Sequence, residues 1–266
     1  MVNLTSDVIA DLITTAHALA DDARAATLLH FRSAGLSADS KETERFDPVT
    51  VADRLAEDRM RRILAQRRPH DSILGEEYGF VAGTSCLTWV LDPIDGTRGY
   101  LSGTPTWGVL ISVADETGPI YGLIDQPYIR ERFEGGFGRA RVVGPSGEAS
   151  LACRPARHLS EAIMLSTFPE IGTAQEHAAF RKVADAVRLV RYGMDCYGYA
   201  LLAAGQVDLV IEAGLQPYDV QAPIAVIEAA GGIVTDWTGK PCPSGGQVLA
   251  AANFQIHAQA LALLNA

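Results

Sequence analysis

The chain has 266 residues, of which 48% are hydrophobic and 20% charged, a composition that can bury a core and argues against disorder. Its net charge of −10 disfavours nucleic acid and anionic membranes as partners, and it would repel a phosphorylated substrate unless cations neutralise the binding site. No apolar run is long enough to cross a membrane, and the N-terminus lacks the pattern of a secretory signal, so we expect a cytoplasmic protein.

The first part of the chain predicts two helices and then a run of strands. Apolar residues recur at helical spacing over 6–32, with Ser6 as the N-cap, and again over 49–67. The polar residues 33–47 between them lack periodicity, which indicates a mobile loop. Strands separated by Gly and Pro turns are predicted at 88–91, 107–114, 120–126, 132–137 and 139–143, a largely antiparallel region.

Strands and helices alternate in the rest of the chain, which is typical of α/β layering. The predicted strands are 163–168, 189–192, 208–212, 233–236 and 248–252, and the predicted helices are 173–187, 197–204, 219–230 and 255–264. A change in composition near residue 145 predicts two halves, 1–145 and 146–266, that share one interface.

The cysteines and histidines offer no site of their own. The four cysteines have no CxxC spacing, so we expect reduced thiols, not disulfides or zinc ligands. The six histidines show no HxH or HExxH pattern, which gives no support for a histidine-based metal site or catalytic triad.

Three acidic stretches carry the candidate chemistry. They read Gly-Glu-Glu-Tyr at 75–78, Asp-Pro-Ile-Asp-Gly-Thr at 92–97, and Pro-Tyr-Asp-Val at 217–220 before a helix that ends in Ala-Gly-Gly. Each has a purely structural explanation: Glu76 as a solvated turn acid, Asp95 as a helix cap in an Asx-type turn, and Asp219 as a cap. The combination is more specific than any one stretch.

The middle stretch has the properties of a metal-binding turn. Asp92 ends an apolar strand, Pro93 stiffens the turn, and Asp95 follows. Two carboxylates on a rigid turn suit a hard cation such as Mg²⁺, which prefers oxygen ligands. The N–H groups of Gly96 and Thr97 could then bind phosphate oxygens at the start of a helix.

These motifs, in this order and rough spacing, resemble the inositol monophosphatase family of metal-dependent, lithium-sensitive phosphatases. The resemblance covers nearly the whole chain, to about Asp236. Tyr218 stands where the family usually has Trp, and Tyr78 where Ser is common, but neither change removes a ligand. The resemblance implies an α/β fold with alternating helix and sheet layers: an N-terminal α+β half with most of the metal ligands, and a C-terminal α/β half. The usual assembly is a homodimer.

The resemblance also implies two or three Mg²⁺ ions per site, with Mn²⁺ able to substitute and lithium as an inhibitor. One ion would be held by Glu76, Asp92 and the backbone carbonyl of Ile94. A second would be held by Asp92, Asp95 and Asp219, and a third, weaker ion could sit near Glu76.

The remaining roles implied by the resemblance concern water and substrate. Thr97, paired with Asp53 or Glu76, would orient and help deprotonate the attacking water, and Glu77 could lie one layer further out. Lys41 either closes over the metal site or is a solvated loop lysine. The residues expected to contact the substrate are Asp95, Gly96, Thr97, Gly193, Asp195, Glu212 and Asp219.

Substrate choice is expected to depend on the C-terminal half. Inositol-cleaving members usually carry a small neutral residue where Asp195 stands, and Glu212 aligns with a residue that contacts the non-phosphate part of the substrate. The sequences around Asp195 and around Glu212 resemble those of the histidinol-phosphatase branch of the family. The small phosphorylated substrate of that branch carries an ammonium and an imidazole. The alternatives are an inositol-1-monophosphatase, a nucleotide 3'(2'),5'-bisphosphate phosphatase and a catalytically silent metal-binding scaffold. Asp195 could instead be only a helix N-cap.

Overall fold

The structure, a computed structural model, describes residues 4–34, 36–37, 39–40 and 48–266, so Lys41 lies outside the described residues. The helices are α1 (Ser6–His30), α2 (Val51–Arg67), α3 (Thr97–Ser102), α4 (Ala174–Ala184), α5 (Asp195–Ala203), α6 (Pro217–Ala229) and α7 (Phe254–Leu264). The strands are β1 (Asp39–Ser40), β2 (Pro48–Val49), β3 (Ser72–Gly75), β4 (Gly79–Val81), β5 (Thr88–Asp95), β6 (Gly108–Asp115), β7 (Gly118–Gln126), β8 (Glu131–Gly136), β9 (Arg139–Gly144), β10 (Gly147–Ser150), β11 (Ile163–Ser166), β12 (Leu189–Tyr192), β13 (Leu209–Leu215), β14 (Ile233–Thr235) and β15 (Gly246–Ala251).

The strands form two large sheets. An eight-stranded sheet has the order β10-β9-β8-β7-β6-β5-β3-β4, and within it only β3 and β5 run parallel. A five-stranded sheet has the order β12-β11-β13-β15-β14, with β11 parallel to both of its neighbours. β10 lies beyond residue 145 and still pairs with β9, so we propose that the two halves of the chain divide after Ser150.

Helices and sheets alternate in five layers, which confirms the expected layered α/β fold. α1 and α2 cover one face of the eight-stranded sheet, α5 and α6 lie between the two sheets, and α4 and α7 cover the outer face of the second sheet. Along β6, Val109 and Ile111 pack towards α1 and α2, whereas Leu110 packs towards α5 and α6. Because both faces are covered, this strand is apolar at nearly every position.

Helix α6 is the centre of this arrangement and is apolar on almost all sides, as a helix between two sheets must be. Its backbone comes very close to β7 and β8. A Cβ atom at Gly122 would lie 2.4 Å from the carbonyl oxygen of Ala222, and one at Gly135 would lie 2.5 Å from the Cα of Val226. Glycine at these two positions therefore allows the contact that fixes α6 against the sheet.

The strands that the sequence pattern did not predict are short. β3, β4 and β10 have three or four residues each and are only partly buried or exposed, so they lack a clear apolar period. β1 lies in the polar stretch 33–47, for which the sequence predicts a loop. The N-cap of α1 is Thr5, whose hydroxyl accepts from the N–H of Val8, so the predicted cap at Ser6 is wrong by one residue.

Two further features bear on the protein class. All four cysteines are free thiols, two of them buried. In the part of the chain that the structure describes, no helix combines the length and the apolar character needed to cross a membrane.

We predict that Gly122→Ala destabilises the protein because the new methyl group meets backbone, which cannot move aside cheaply. Overpacking of this kind costs about 1–3 kcal/mol, and Tm falls by roughly 2–4 °C per kcal/mol in a chain near this size. Gly198→Ala is the matched control, since its Cβ would have ordinary contacts at 3.4 Å or more inside α5. Equal melting temperatures for the two variants, measured by calorimetry, would contradict the close packing.

Candidate metal centre

The end of β5 places two carboxylates, Asp92 and Asp95, at the junction of the two halves. The pairing of β5 with β6 shifts between these two residues, as in a β-bulge, and Asp95 still pairs with Gly108 of β6. Asp92 is buried, and its Oδ1 accepts from the N–H of Ile94 at 3.0 Å. α3 then begins with Gly96 as its N-cap and no side-chain capping bond. Asp95 is therefore not the helix cap of the purely structural interpretation.

The third carboxylate comes from the start of α6. Pro217 opens this helix, and Asp219 Oδ2 accepts from the N–H of Gln216 at 2.7 Å, so Asp219 does act as a capping-box residue. It is also part of the cluster: one oxygen each of Asp92, Asp95 and Asp219 lie within 4.8 Å of one another. Capping fixes the side chain at the position where the three acids meet.

The electrostatics of this cluster favour a bound cation. Burial raises the pKa of Asp92 well above its usual value, and the charges of Glu76, Asp95 and Asp219 raise it further. Asp95 is shifted in the same direction by burial and by Asp219 and Asp195. Crowded carboxylates repel one another, and a divalent cation with oxygen ligands relieves that repulsion. The donor set therefore fits a hard metal ion.

Asp53 and Thr97 lie next to the cluster. Asp53 is fully buried at the start of α2, where Oδ2 accepts from the N–H of Thr50 at 2.8 Å in a capping box. Thr97 Oγ1 lies 3.4 Å from Asp53 Oδ1 and 3.1 Å from the carbonyl oxygen of Ile94. Burial raises the pKa of Asp53 to about 6, against the opposing effect of its Thr50 bonds. A carboxyl group with this pKa can exchange a proton near neutral pH.

Glu57 is a site residue that sequence reasoning missed. Its buried carboxylate accepts from the N–H groups of Glu77 at 2.6 Å and Tyr78 at 3.2 Å, and from Arg61 at 2.7 Å. It thereby holds the turn that presents Glu76, whose charge acts on both Asp92 and Asp53. The sequence does contain one indication of this role, since Glu57 follows Asp53 by one helical turn and therefore lies on the same face of α2.

Asp195 and Cys196 join the C-terminal half to residues 92–97, the segment that carries Asp92 and Asp95. The N–H of Cys196 donates to Asp95 Oδ2 at 2.6 Å. Thr106 Oγ1 donates to Asp195 Oδ2 at 3.1 Å, and a Cβ at Gly96 would lie 2.6 Å from Asp195 Cγ. The N-cap of α5 is Met194, so the interpretation of Asp195 as an N-cap is wrong. No local signal pointed to Thr106.

The backbone and surroundings of Asp195 are unusual. Its φ of 46° lies in the left-handed region, which is uncommon for a residue with a side chain. Burial raises its pKa, while the bond from Thr106 and the charge of Arg98 lower it.

Glu212 and Gly193 lie around the loop that follows β11. Glu212 is buried and accepts from the N–H of Thr167 at 2.6 Å and its hydroxyl at 2.9 Å. Burial raises the pKa of Glu212 to about 8, and the charge of Asp195 acts in the same direction. The N–H of Gly193 donates to the carbonyl oxygens of Ser166 and Thr167. Glu212 therefore fixes this loop and remains close enough to Asp195 for the two charges to interact.

Comparison with known proteins places the whole chain among phosphatases. The sequence pattern of the inositol monophosphatase family matches residues 9–266. The chloroplastic bifunctional phosphatase IMPL2 of Arabidopsis thaliana is 41% identical over 92% of this chain and 72% of its own length. A histidinol-phosphatase of Streptomyces coelicolor is 35% identical over 96% and 97%. A solved inositol monophosphatase from Zymomonas mobilis superposes with a TM-score of 0.84 at 36% identity, covering 96% and 98%.

We predict that Asp92→Asn changes the melting temperature differently in the presence and in the absence of a divalent cation. In chelator, the variant should melt at or above the wild-type temperature, because one of the repelling buried charges is gone. Adding Mg²⁺ should raise Tm for the wild type by several degrees but hardly for the variant. Asp185→Asn, at the exposed end of α4, should respond as the wild type does. A variant that gains as much Tm from Mg²⁺ as the wild type would rule out Asp92 as a ligand.

Proposed function

This chain belongs to the inositol monophosphatase family of metal-dependent phosphatases and acts on phosphate monoesters, and we propose that it hydrolyses L-histidinol phosphate to L-histidinol and phosphate, with Mg²⁺, in histidine biosynthesis. The observation that carries the proposal is the position of Asp195. Its carboxylate lies beside Asp95 but outside the cluster of Asp92, Asp95 and Asp219. A partly buried acid at this place suits a substrate whose non-phosphate part is cationic.

Glu212 strengthens this interpretation. A carboxyl group with a pKa of about 8 is mostly protonated at neutral pH, and a nearby ammonium or imidazolium would stabilise its charged form. The substrate would thus meet two acids, Asp195 and Glu212. Relatives named histidinol-phosphatase, from Streptomyces coelicolor and from Mycobacterium tuberculosis, match 96% of this chain each, which supports the same substrate.

The proposed roles at the reacting phosphate use the chain's own groups. Glu76, Asp92, Asp95, Asp219 and the carbonyl of Ile94 would hold the metal ions. When bound, these ions neutralise the phosphate, acidify a water molecule and stabilise the leaving oxygen. Thr97 would orient the attacking water through its hydroxyl, and Asp53 would take up the proton through Thr97. The N–H groups of Gly96 and Thr97 would contact phosphate oxygens.

An inositol-1-monophosphatase activity is the second candidate, and Arg98 is the observation that favours it. Burial raises the pKa of Asp195, but the charge of Arg98 lowers it, so the two groups are close enough to interact. An acid partly neutralised by an arginine could accept an uncharged polyol in place of a cation. A relative from Caulobacter vibrioides named inositol-1-monophosphatase is 33% identical over 83% of this chain.

Steady-state kinetics of Asp195→Asn on two substrates separate these candidates. If Asp195 contacts the cationic part of histidinol phosphate, the variant loses a charge-assisted hydrogen bond worth ~1.5–3 kcal/mol, or roughly ten- to 150-fold in kcat/KM. Inositol 1-phosphate, which has no positive charge, should lose little. An equal fall on both substrates would assign Asp195 to the fold or the metals. A wild type that prefers inositol 1-phosphate would overturn the histidinol-phosphate proposal.

Thr106 gives an independent test, since its hydroxyl holds one oxygen of Asp195. Thr106→Val keeps the shape and removes the bond, so kcat/KM for histidinol phosphate should fall by roughly three- to tenfold, less than in Asp195→Asn because the carboxylate itself remains. Thr106→Ser should retain most of the wild-type value. Inositol 1-phosphate kinetics and Tm measured alongside distinguish loss of orientation from loss of stability. Identical kinetics for the Val and Ser variants would show that this bond does not position Asp195.

A further inference from the structure

A basic groove lies on the far side of the eight-stranded sheet from α6. It has a volume of about 480 Å³ and lies between the N-terminal half of α1, the end of α2 and strand β9. Its lining includes the polar residues Thr14, His17, Asp21, Arg67, Arg139 and Arg141, with Ala10 and Ile13 among its apolar contacts. This volume is in the range of small-molecule sites, which combine apolar contacts with a few convergent polar groups.

The acids near the groove pair fully with only one of its arginines, Arg141, which contacts both Glu134 and Glu148, the latter at 2.9 Å. Asp21 is the one carboxylate in the lining, and it accepts from Arg132 at 2.8 Å. Buried Glu134 is shared: it pairs with Arg141, accepts from His17 and the hydroxyl of Tyr121, and lies 3.6 Å from Arg139. One carboxylate with this many donors is already saturated, so positive charge is left over.

His17 lies between two of these groups. Its Nδ1 is 3.1 Å from Arg132 Nη1, and its Nε2 is 3.0 Å from Glu134, so both ring nitrogens already have partners.

Among the residues of the groove, Arg67 indicates most directly that an anionic ligand binds there. It is exposed at the end of α2, and among the described residues its guanidinium has no hydrogen bond or ion pair. Arg139 has only the contact of 3.6 Å to the shared Glu134. In a chain of net charge −10, two guanidinium groups that converge on one groove without an acid of their own are poorly explained by folding alone.

We propose that this groove binds a small molecule with at least two oxyanion groups, such as a diphosphate or a polycarboxylate. Guanidinium groups recognise both by paired, parallel hydrogen bonds, and two of the three in the lining, Arg67 and Arg139, have no ion pair shorter than 3.6 Å among the described residues. The site is separate from the metal centre. α2 carries Asp53 in its first turn and Arg67 at its end, which places the groove ~21 Å along the helix from Asp53 at 1.5 Å per residue.

Phenylglyoxal footprinting tests the location directly, because this reagent modifies accessible guanidinium groups. The Mg²⁺-loaded enzyme is treated with and without pyrophosphate or citrate at a fixed free Mg²⁺ concentration, and modified peptides are quantified by mass spectrometry. Either anion should slow modification of Arg67 and Arg139 at least about fivefold. Arg188 is the control, since it is exposed and without a side-chain partner in the described part of the chain. Protection of Arg188 to the same extent, or of none of the three, would overturn the proposal.

Calorimetric titration of variants then tests the affinity. Arg67→Gln breaks no contact among the described residues, so Tm should not change, while Kd for the protecting anion should weaken about tenfold. Arg67→Lys keeps the charge but not the planar fork, so its Kd should lie between those of the wild type and Arg67→Gln. The Kd of Arg188→Gln should match that of the wild type. If pyrophosphate binds and citrate does not, the ligand of the groove is a phosphate compound. If citrate binds and pyrophosphate does not, the ligand is a carboxylate compound. Binding that is equal in wild type and Arg67→Gln belongs to another site and would reject the groove.

Discussion

Mutual repulsion among clustered carboxylates, of which Asp92 is buried and Asp95 and Asp219 are partly buried, is the constraint around which this protein is organised. One oxygen each of Asp92, Asp95 and Asp219 lie within 4.8 Å of one another, and the charge of Glu76 also acts on Asp92. Such a group is unfavourable without a cation, so the fold must hold each side chain against the repulsion. The β-bulge after Asp92, the buried α6 and the Glu57-bound turn all serve this end.

Two of the acids are held by helix capping. Asp53 and Asp219 are each the third residue of a helix, and each uses an oxygen to accept from the backbone N–H before that helix. A capping box is a local, inexpensive way to fix a carboxylate, because the helix needs the acceptor in any case. The bound oxygen secures the helix, and for Asp53 the second oxygen faces Thr97. The structural explanation of these acids is therefore correct, and it is compatible with the roles proposed for them at the metal centre.

The two halves of the chain meet at the candidate site, and one hydrogen bond illustrates the consequence. Cys196 on α5 donates its N–H to Asp95 at the end of β5, so the C-terminal half helps to fix a proposed metal ligand of the N-terminal half. The adjacent Asp195 lies against Gly96, the residue that follows β5. A substitution at Asp195 is thus one residue away from Cys196, whose N–H helps to hold Asp95. The groove on the other side of the sheet shares none of these residues.

The sequence by itself determined the helices and long strands, since their apolar periods reflect local geometry, and it identified the acids because their motifs are contiguous or begin a helix. It also predicted the layered α/β fold, which the structure confirms. Only the tertiary structure decided what depends on distant residues. Thr106 and Asp195 are 89 positions apart and leave no mark on each other's local sequence. The edge strand β10 is exposed, so it has no apolar period that could predict it. Arg67 and Arg139 line the same groove only because α2 and β9 both lie beside α1. Periodicity records which face of an element is buried, whereas contacts between elements are set by packing, which no local pattern encodes.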